Sequence, residues 1–414
     1  MNRKSIHCAV FVLTALAAAA LSSRPALAGG TRHKKRLVVT FLEGTNRAER
    51  AQAARDMGLN VSDDLDSIQV SVLEAAGDVQ PQEVTNARKH PKVFAVDEDV
   101  YRNWLLESPV SFQETPLPSV NSILEALGKP RRKPAPTPSG PAANGTPWGV
   151  ARVNAPAAWP SGRGAGVKVA VIDTGIDCAH PDLKCDFGSG ANIVDPSATP
   201  TDDNEHGTHV AGTIAGRGDG GPIGVAPKAT LIPVKVLDAQ GSGNLSDIVK
   251  GINWATRAGV NVINMSLGGP TGSAALERAV KHALSAGVVV VCAAGNSGPN
   301  PDTVGFPGGY PGVIAVAASD LNDKVANFSS RGNAVAFIAP GVDIASTIPG
   351  GGTAKLSGTS MASPHVAGLA ALAIERGARG PSGVRAVLST ASSPLPGLGA
   401  TEQGAGMIDA ARLR

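Results

Sequence analysis

The chain has 414 residues, 42 % of them hydrophobic and 3 % aromatic, with 50 glycines, 31 prolines and a formal net charge of +3. That length allows two or three domains and at least one large core, and the recurring apolar segments read the glycine and proline content as tight turns rather than disorder. From residue 147 onward 19 Lys+Arg meet 19 Asp+Glu, so nothing in the charge balance points to nucleic acid or an anionic membrane as partner.

Asn2-Arg-Lys4 is a basic start, Ala9 to Leu21 is an apolar run of 13, and Ala26-Leu27-Ala28 is a small-x-small site. This is the layout of a secretory signal peptide over residues 1–28, and the run is too short for a membrane anchor. An exported product is therefore expected, extracellular or periplasmic. Four cysteines are present, and Cys8 leaves with the signal. In an oxidising compartment Cys178 and Cys185 make a plausible disulfide, and Cys292 reads as a buried structural thiol.

Residues 31–106 read as a small, charge-rich α+β unit. Leu37 to Leu42 is a strand pattern, Arg47 to Met57 a helix closed by Gly58, and Ser67 to Val72 an alternating second strand. Val79 to His90 is helix-like, Val93 to Val96 is a third strand before Asp97-Glu-Asp99, and Tyr101 marks room for one more. The order suggests a β-α-β-β-α-β unit of ferredoxin-like type. Residues 107–146 carry eight prolines and read as a stiff linker.

Residues 147–414 change character. Val167–Ile172, Leu231–Leu237, Val260–Asn264, Val288–Cys292 and Val313–Val316 are β-branched runs. Helical patterns at Leu245–Ala258 and Ser273–Ala286 separate some of them and stop at Gly259 and Gly287. Apolar strands alternating with amphipathic helices predict an α/β fold with a mainly parallel sheet covered by helices, and function is expected at the strand C-terminal ends.

Three loops at such ends carry chemistry. Val169-Ala-Val-Ile-Asp-Thr-Gly-Ile-Asp177 places Asp173 directly after a strand. An aspartic protease also uses Asp-Thr-Gly but needs two copies in β-rich halves, and one is found here. His206-Gly-Thr-His-Val-Ala-Gly212 starts a helix; the pair His206 and His209 lacks the His-Glu-x-x-His order of a zinc site and a third ligand. Gly358-Thr-Ser-Met-Ala-Ser-Pro-His-Val-Ala-Gly368 starts another helix, where a serine would feel the positive end of the dipole and offer its own N–H to an oxyanion. Pro364 fits a first helical turn, whose N–H groups have no intrahelical partner. Asn296, in a glycine-flanked turn after Val291-Cys-Ala-Ala, could supply a second oxyanion donor. Each segment alone could be an ordinary capped helix or turn; acid, base and hydroxyl together argue for nucleophilic catalysis.

These segments, with Ser266-Leu-Gly-Gly269, resemble the subtilisin-like serine proteases (subtilases) over about residues 147–414. The order Asp, His, Ser is that of subtilisin. The resemblance implies a three-layer subtilisin-like fold and a secreted endopeptidase made as a zymogen. Residues 31–106 would be its inhibitory propeptide, residues 107–146 the linker and residues 147–414 the catalytic domain. It implies Ser360 as nucleophile, His206 as general base and acid, Asp173 as its orienting partner, and Asn296 with the Ser360 N–H as the oxyanion hole. Ser266, Leu267, Gly268 and Gly269 would pair with an extended substrate and, with Ala293, Ala294 and Gly295, line the pocket for the residue before the cut. Thr359 and Ser363 read as local hydrogen-bonding and packing residues, and His365 as a helix residue.

No cofactor is implied for the chemistry. Asn144, Asp182 and Asp219 are candidate ligands of a structural calcium, although the loop 216–222 departs from the usual pattern and holds Arg217. The expected partners are protein or peptide substrates and the propeptide itself, with a monomeric product and no membrane anchor. The alternatives are a narrow-specificity processing protease and a non-catalytic binding protein on the same scaffold.

Overall fold

A computed structural model describes residues 35–105, 145–185 and 187–414. The signal, nearly all of the linker and Asn144 lie outside the described residues.

The N-terminal unit runs β1 (Arg36–Phe41), α1 (Arg47–Asp56), β2 (Asn60–Leu65), β3 (Val70–Glu74), α2 (Pro81–Lys89), β4 (Val93–Glu98). Its antiparallel sheet has the order β2-β3-β1-β4. Two strands differ from the sequence expectation. Ser67 and Ile68 lie in a 3-10 turn, and the strand before it is the polar segment Asn60–Leu65. That segment is held by a buried arginine: Arg50 donates to both oxygens of Asp64, at 2.9 and 2.7 Å. The segment at Tyr101 is indeed a strand, β5 (Tyr101–Asn103), but it leaves this sheet and pairs antiparallel with β9 (Ser242–Asn244).

The larger part is built on a nine-stranded sheet. Its strands are β6 (Lys168–Asp173), β7 (Ala191–Asn192), β8 (Thr230–Lys235), β10 (Val262–Met265), β11 (Val289–Ala293), β12 (Ile314–Ser319), β13 (Val335–Pro340), β16 (Ser392–Ser393) and β17 (Met407–Ile408). Their order is β16-β17-β13-β12-β11-β10-β6-β8-β7, and every pairing is parallel except β16 with β17. The central strands are apolar on both faces because helices cover both. A separate hairpin joins β14 (Ile344–Ile348) and β15 (Gly352–Leu356).

On one face, α3 (His206–Ala215) packs against α6 (Thr359–Glu375), and Val210, Ile214, Met361, Val366 and Leu369 share a core with Val169 and Val171. On the other lie α4 (Leu245–Arg257) and α5 (Ala274–Ser285), each stopped where Gly259 and Gly287 adopt positive φ of +67° and +87°. Ile248, Ile252, Ala279 and Val280 bury there against Ala170 and Ile172. Val38, Ile68, Val70 and Trp104 of the N-terminal segment join the same cluster. This is the three-layer α/β arrangement expected. The α4 and α5 starts also receive the acidic turn: Ser246 N–H donates to Asp99 at 2.8 Å and Ala275 N–H to Asp97 at 3.2 Å.

β6 borders both β8 and β10, so the chain crosses from one side of β6 to the other between them. Strand order reverses at this point, where parallel sheets place their sites. Asp173 closes β6, and Ser266 follows β10 directly.

Candidate active site

Asp173 is fully buried and its Oδ1 accepts two hydrogen bonds, from Thr174 N–H at 2.7 Å and from His206 Nδ1 at 2.8 Å. A carboxylate only accepts, so Nδ1 carries the proton and Nε2 presents its lone pair. Burial disfavours the imidazolium, but the charge and hydrogen bond of Asp173, helped by Asp202 and Glu205, outweigh it and raise His206 above its ordinary 6.5.

His206 opens α3, and each of the first three amides of that helix has a side-chain partner. His206 N–H donates to Asn204 Oδ1 at 3.2 Å, Gly207 N–H to Thr174 Oγ1 at 3.0 Å, and Thr208 N–H to Asp202 Oδ2 at 2.9 Å. Asp202 also accepts the N–H of Glu205, a residue at φ +109° that no unbraced L side chain adopts readily. Position 207 must be glycine, because a Cβ there would lie 2.1 Å from the carbonyl oxygen of Gly175.

Thr174 ties these pieces together. Its hydroxyl donates to Asp202 Oδ1 at 2.8 Å while receiving Gly207 N–H, and its carbonyl accepts the buried ammonium of Lys235 at 2.7 Å. Lys235 also holds Asp203 and the carbonyl of Leu237.

Ser360 is the second residue of α6 and 4 % exposed. Its hydroxyl donates to the carbonyl of Ser266 at 3.0 Å, not to His206, whose Nε2 is buried with no hydrogen-bond partner. The structure thus joins acid to base and leaves the serine turned to the strand end, an arrangement common before substrate binds. Asn296 meets the start of α6: its Oδ1 accepts both the N–H and the hydroxyl of Thr359 at 2.9 Å. Since a backbone N–H can only donate, that fixes the amide with its oxygen toward Thr359. Thr359, expected to serve local hydrogen bonding, is therefore the residue that orients Asn296.

One pocket collects most of the expected lining: Leu267, Gly268, Ala293, Ala294, Gly295, Asn296 and Ser360. Ser266 is buried beside it, and Gly269 instead pairs with Phe306 through two backbone bonds of 2.9 and 2.8 Å. Trp104, Leu105, Gly305 and Thr359, which lie outside the segments expected to line it, line the pocket too. Trp104 is held by backbone bonds from its N–H to Gly241 and to its carbonyl from Gly268, and its indole N–H reaches the Gly243 carbonyl. The remaining histidines do other work. His209 Nε2 meets the Ile344 carbonyl and His365 Nδ1 the Met361 carbonyl, and burial lowers them to about 3 and about 4.

Pro364 departs from the expectation. With α6 beginning at Thr359, the proline lies inside the helix, beyond its first turn.

Cys178 and Cys185 form a disulfide with Cα atoms 5.3 Å apart. As for calcium, one oxygen of Asp182 is buried without a partner, as a cation ligand would be. Its other oxygen accepts Asp219 N–H at 2.6 Å, and the Asp219 carboxylate pairs with Arg217 at 2.7 Å. Among the described residues no three His, Cys, Asp or Glu side chains gather as a metal cluster. The Asp219 carboxylate is thus engaged by Arg217, and it is the Asp219 backbone that meets Asp182.

Asp173, His206 and Ser360 follow one another in the chain order of subtilisin's aspartate, histidine and serine, at the end of a parallel strand and the starts of two packed helices. The subtilase family profile (peptidase S8) matches residues 164–407. The chain is 51 % identical over 239 residues to subtilisin E of Bacillus subtilis (strain 168), which covers 56 % of this chain and 62 % of that protein. Over 239 residues it is 50 % identical to subtilisin of Bacillus pumilus, covering 86 % of it, and over 232 residues 51 % identical to subtilisin Savinase of Lederbergia lenta, covering 84 %. The chain belongs to the subtilase family of serine endopeptidases. No helix among the described residues is long and apolar enough to cross a membrane.

Proposed function

We propose that this chain is a secreted endopeptidase that hydrolyses peptide bonds through an acyl-enzyme on Ser360, and that it is made as a self-processing zymogen. The observation that carries the reading is the buried 2.8 Å bond between His206 Nδ1 and Asp173. It leaves Nε2 as a base, in a helix packed against the one that carries Ser360 in its first turn. On substrate binding the Ser360 hydroxyl turns from the Ser266 carbonyl to Nε2. His206 takes its proton as Oγ attacks the scissile carbonyl, then gives it to the leaving amine; water, deprotonated by the same nitrogen, releases the acyl group. Asp173 keeps the tautomer and stabilises the imidazolium. Asn296 and the Ser360 N–H hold the oxyanion; removing the equivalent amide from subtilisin costs about 10²–10³ in kcat.

The N-terminal unit acts as the inhibitory propeptide, and the 1–28 segment as the export signal. The pairing of β5 with β9 supports this, since it delivers Trp104 and Leu105 to the pocket shared with Ser360. The first cut then falls just past Leu105. Substrates are proteins and peptides whose extended backbone takes the place of β5, between β9 and the Ser266–Gly268 segment.

The test is expression of the full chain beside Ser360→Ala. The wild type is expected to separate into two pieces and to cleave a peptide library, whereas Ser360→Ala stays whole and inert. Identical maturation of both, with no peptide cut by either, would end the protease reading.

A further inference from the structure

The amide of residue i in a helix donates to the carbonyl of residue i−4. Pro364 has no N–H, so the carbonyl of Ser360, the residue that carries the nucleophile, lacks its i→i−4 helical donor. A buried carbonyl must find a partner elsewhere. It finds one in a different layer: the hydroxyl of Ser266, just beyond β10, donates to Ser360 O at 2.8 Å.

The rest of the Ser266 hydroxyl is also committed. It accepts from Asn264 Nδ2 at 3.0 Å and lies 2.8 Å from Ser363 Oγ. Its single proton is on Ser360 O, so Ser363 is the donor of that last pair. Meanwhile the Ser266 carbonyl accepts the Ser360 hydroxyl at 3.0 Å. Ser266 therefore grips Ser360 at both ends, hydroxyl to carbonyl and carbonyl to hydroxyl, and both residues are buried.

We propose that the side chain of Ser266 is a positioning residue for the nucleophile, supplying the hydrogen bond that Pro364 withholds and so setting the Ser360 peptide from the sheet rather than from its own helix. This goes beyond a backbone contact to substrate and rests on Ser360 being the nucleophile. The proline is what makes the arrangement exclusive: with an N–H at position 364 the helix would compete for the same carbonyl. The Ser360 N–H and Oγ, fixed by that peptide, are the two groups whose placement the reaction needs to well under an ångström.

A double-mutant cycle on the full chain, matured where it matures, tests the coupling. Ser266→Ala is expected to lower kcat about tenfold with KM changed less than about twofold, because the loss concerns the nucleophile and not substrate contacts. In a Pro364→Ala background the restored N–H takes the Ser360 carbonyl, and Ser266→Ala should then cost less than about threefold. Ser266→Cys, which keeps a weaker donor, should fall between serine and alanine. Equal losses in the two backgrounds, or a change confined to KM, would overturn the proposal. If Pro364→Ala does not fold, Ser266→Ala alone decides: an unchanged kcat overturns it, and an ordered fall from serine through cysteine to alanine supports it. Labelling of the wild type by a fluorophosphonate tests the nucleophile separately: absence of label defeats that reading, while a labelled enzyme with an uncoupled cycle defeats only this one.

Discussion

Lys235 places its ammonium 2.7 Å from the carbonyl oxygen of Thr174, the residue that immediately follows Asp173. In register Lys235 lies directly across from Asp173 on β8. The next two residues, Val236 and Leu237, donate their amides to the Asp173 carbonyl at 2.9 and 3.2 Å. The turn that carries the Asp173 carboxylate is thus clamped along its backbone by one neighbouring strand, while the Thr174 hydroxyl fastens it to the histidine helix. The distance between acid and base is set by this frame.

Thr174→Val keeps the shape of the side chain and removes the hydroxyl that links Asp202 to Gly207 N–H. Leaving a buried carboxylate oxygen and a helix-start amide short of partners costs about 1–3 kcal/mol. Part of that should appear in kcat as a loss of roughly tenfold, with Thr174→Ser near wild type. Steady-state kinetics on the three proteins check this; a valine variant with unaltered kcat would show the frame to be redundant.

The raised pKa of His206 has two consequences of opposite sign. With His206 as the proposed general base, catalysis needs the neutral imidazole, so the acid limb of kcat/KM should lie above 6.5, and activity should fall as pH drops through it. Stability runs the other way. Because the folded value exceeds the unfolded one, protonated His206 stabilises the fold fully below about 6.5, and that contribution fades as pH rises through the folded value. Asp173→Asn removes the main cause of the increase, and the limb should move to lower pH. A limb at or below 6.5 in the wild type would contradict the assignment.

The side chain of Asp99 is fully buried, takes both the N–H and the hydroxyl of Ser246 at the start of α4, and pairs with Arg36 at 2.6 Å. It joins the N-terminal unit to the larger part as a helix cap would. Asp99→Ala should cost about 1–3 kcal/mol of that docking, since it strands an amide and a guanidinium. In a Ser360→Ala background, where the chain is expected to stay whole, urea should release the N-terminal unit at lower concentration and leave the later transition in place. Coincident curves for the two proteins would argue against a docking role.

The parts of this molecule that could be read from sequence are those fixed by local pattern. β6 announces itself as a continuous apolar run because both its faces are covered, and Asp173 is conspicuous as the charge that ends it. The ends of α4 and α5 are written in Gly259 and Gly287. The parts that could not be read depend on distant partners. β2 is too polar for a strand until Arg50 is placed beneath Asp64. Asp202 and Lys235 look like ordinary charged residues, since the atoms they brace lie 28 and 61 positions away in the chain. Pro364 reads as a first-turn residue from its neighbours, whereas the start of α6 is tied to Asn296 across the site through Thr359. Trp104 gave no sign that its side chain would bury in a cleft formed by residues well over a hundred positions later.

Cys292 sits at the centre of the sheet, in β11 beside Met265 of β10, with its thiol wholly buried and burial raising its pKa well above the usual range. Among the described residues it is the one sulfhydryl outside the disulfide. A thiol reagent can therefore reach it only when the central strands part. In a Ser360→Ala protein the alkylation rate of this residue becomes a clock for opening of the core, one that surface fraying cannot advance.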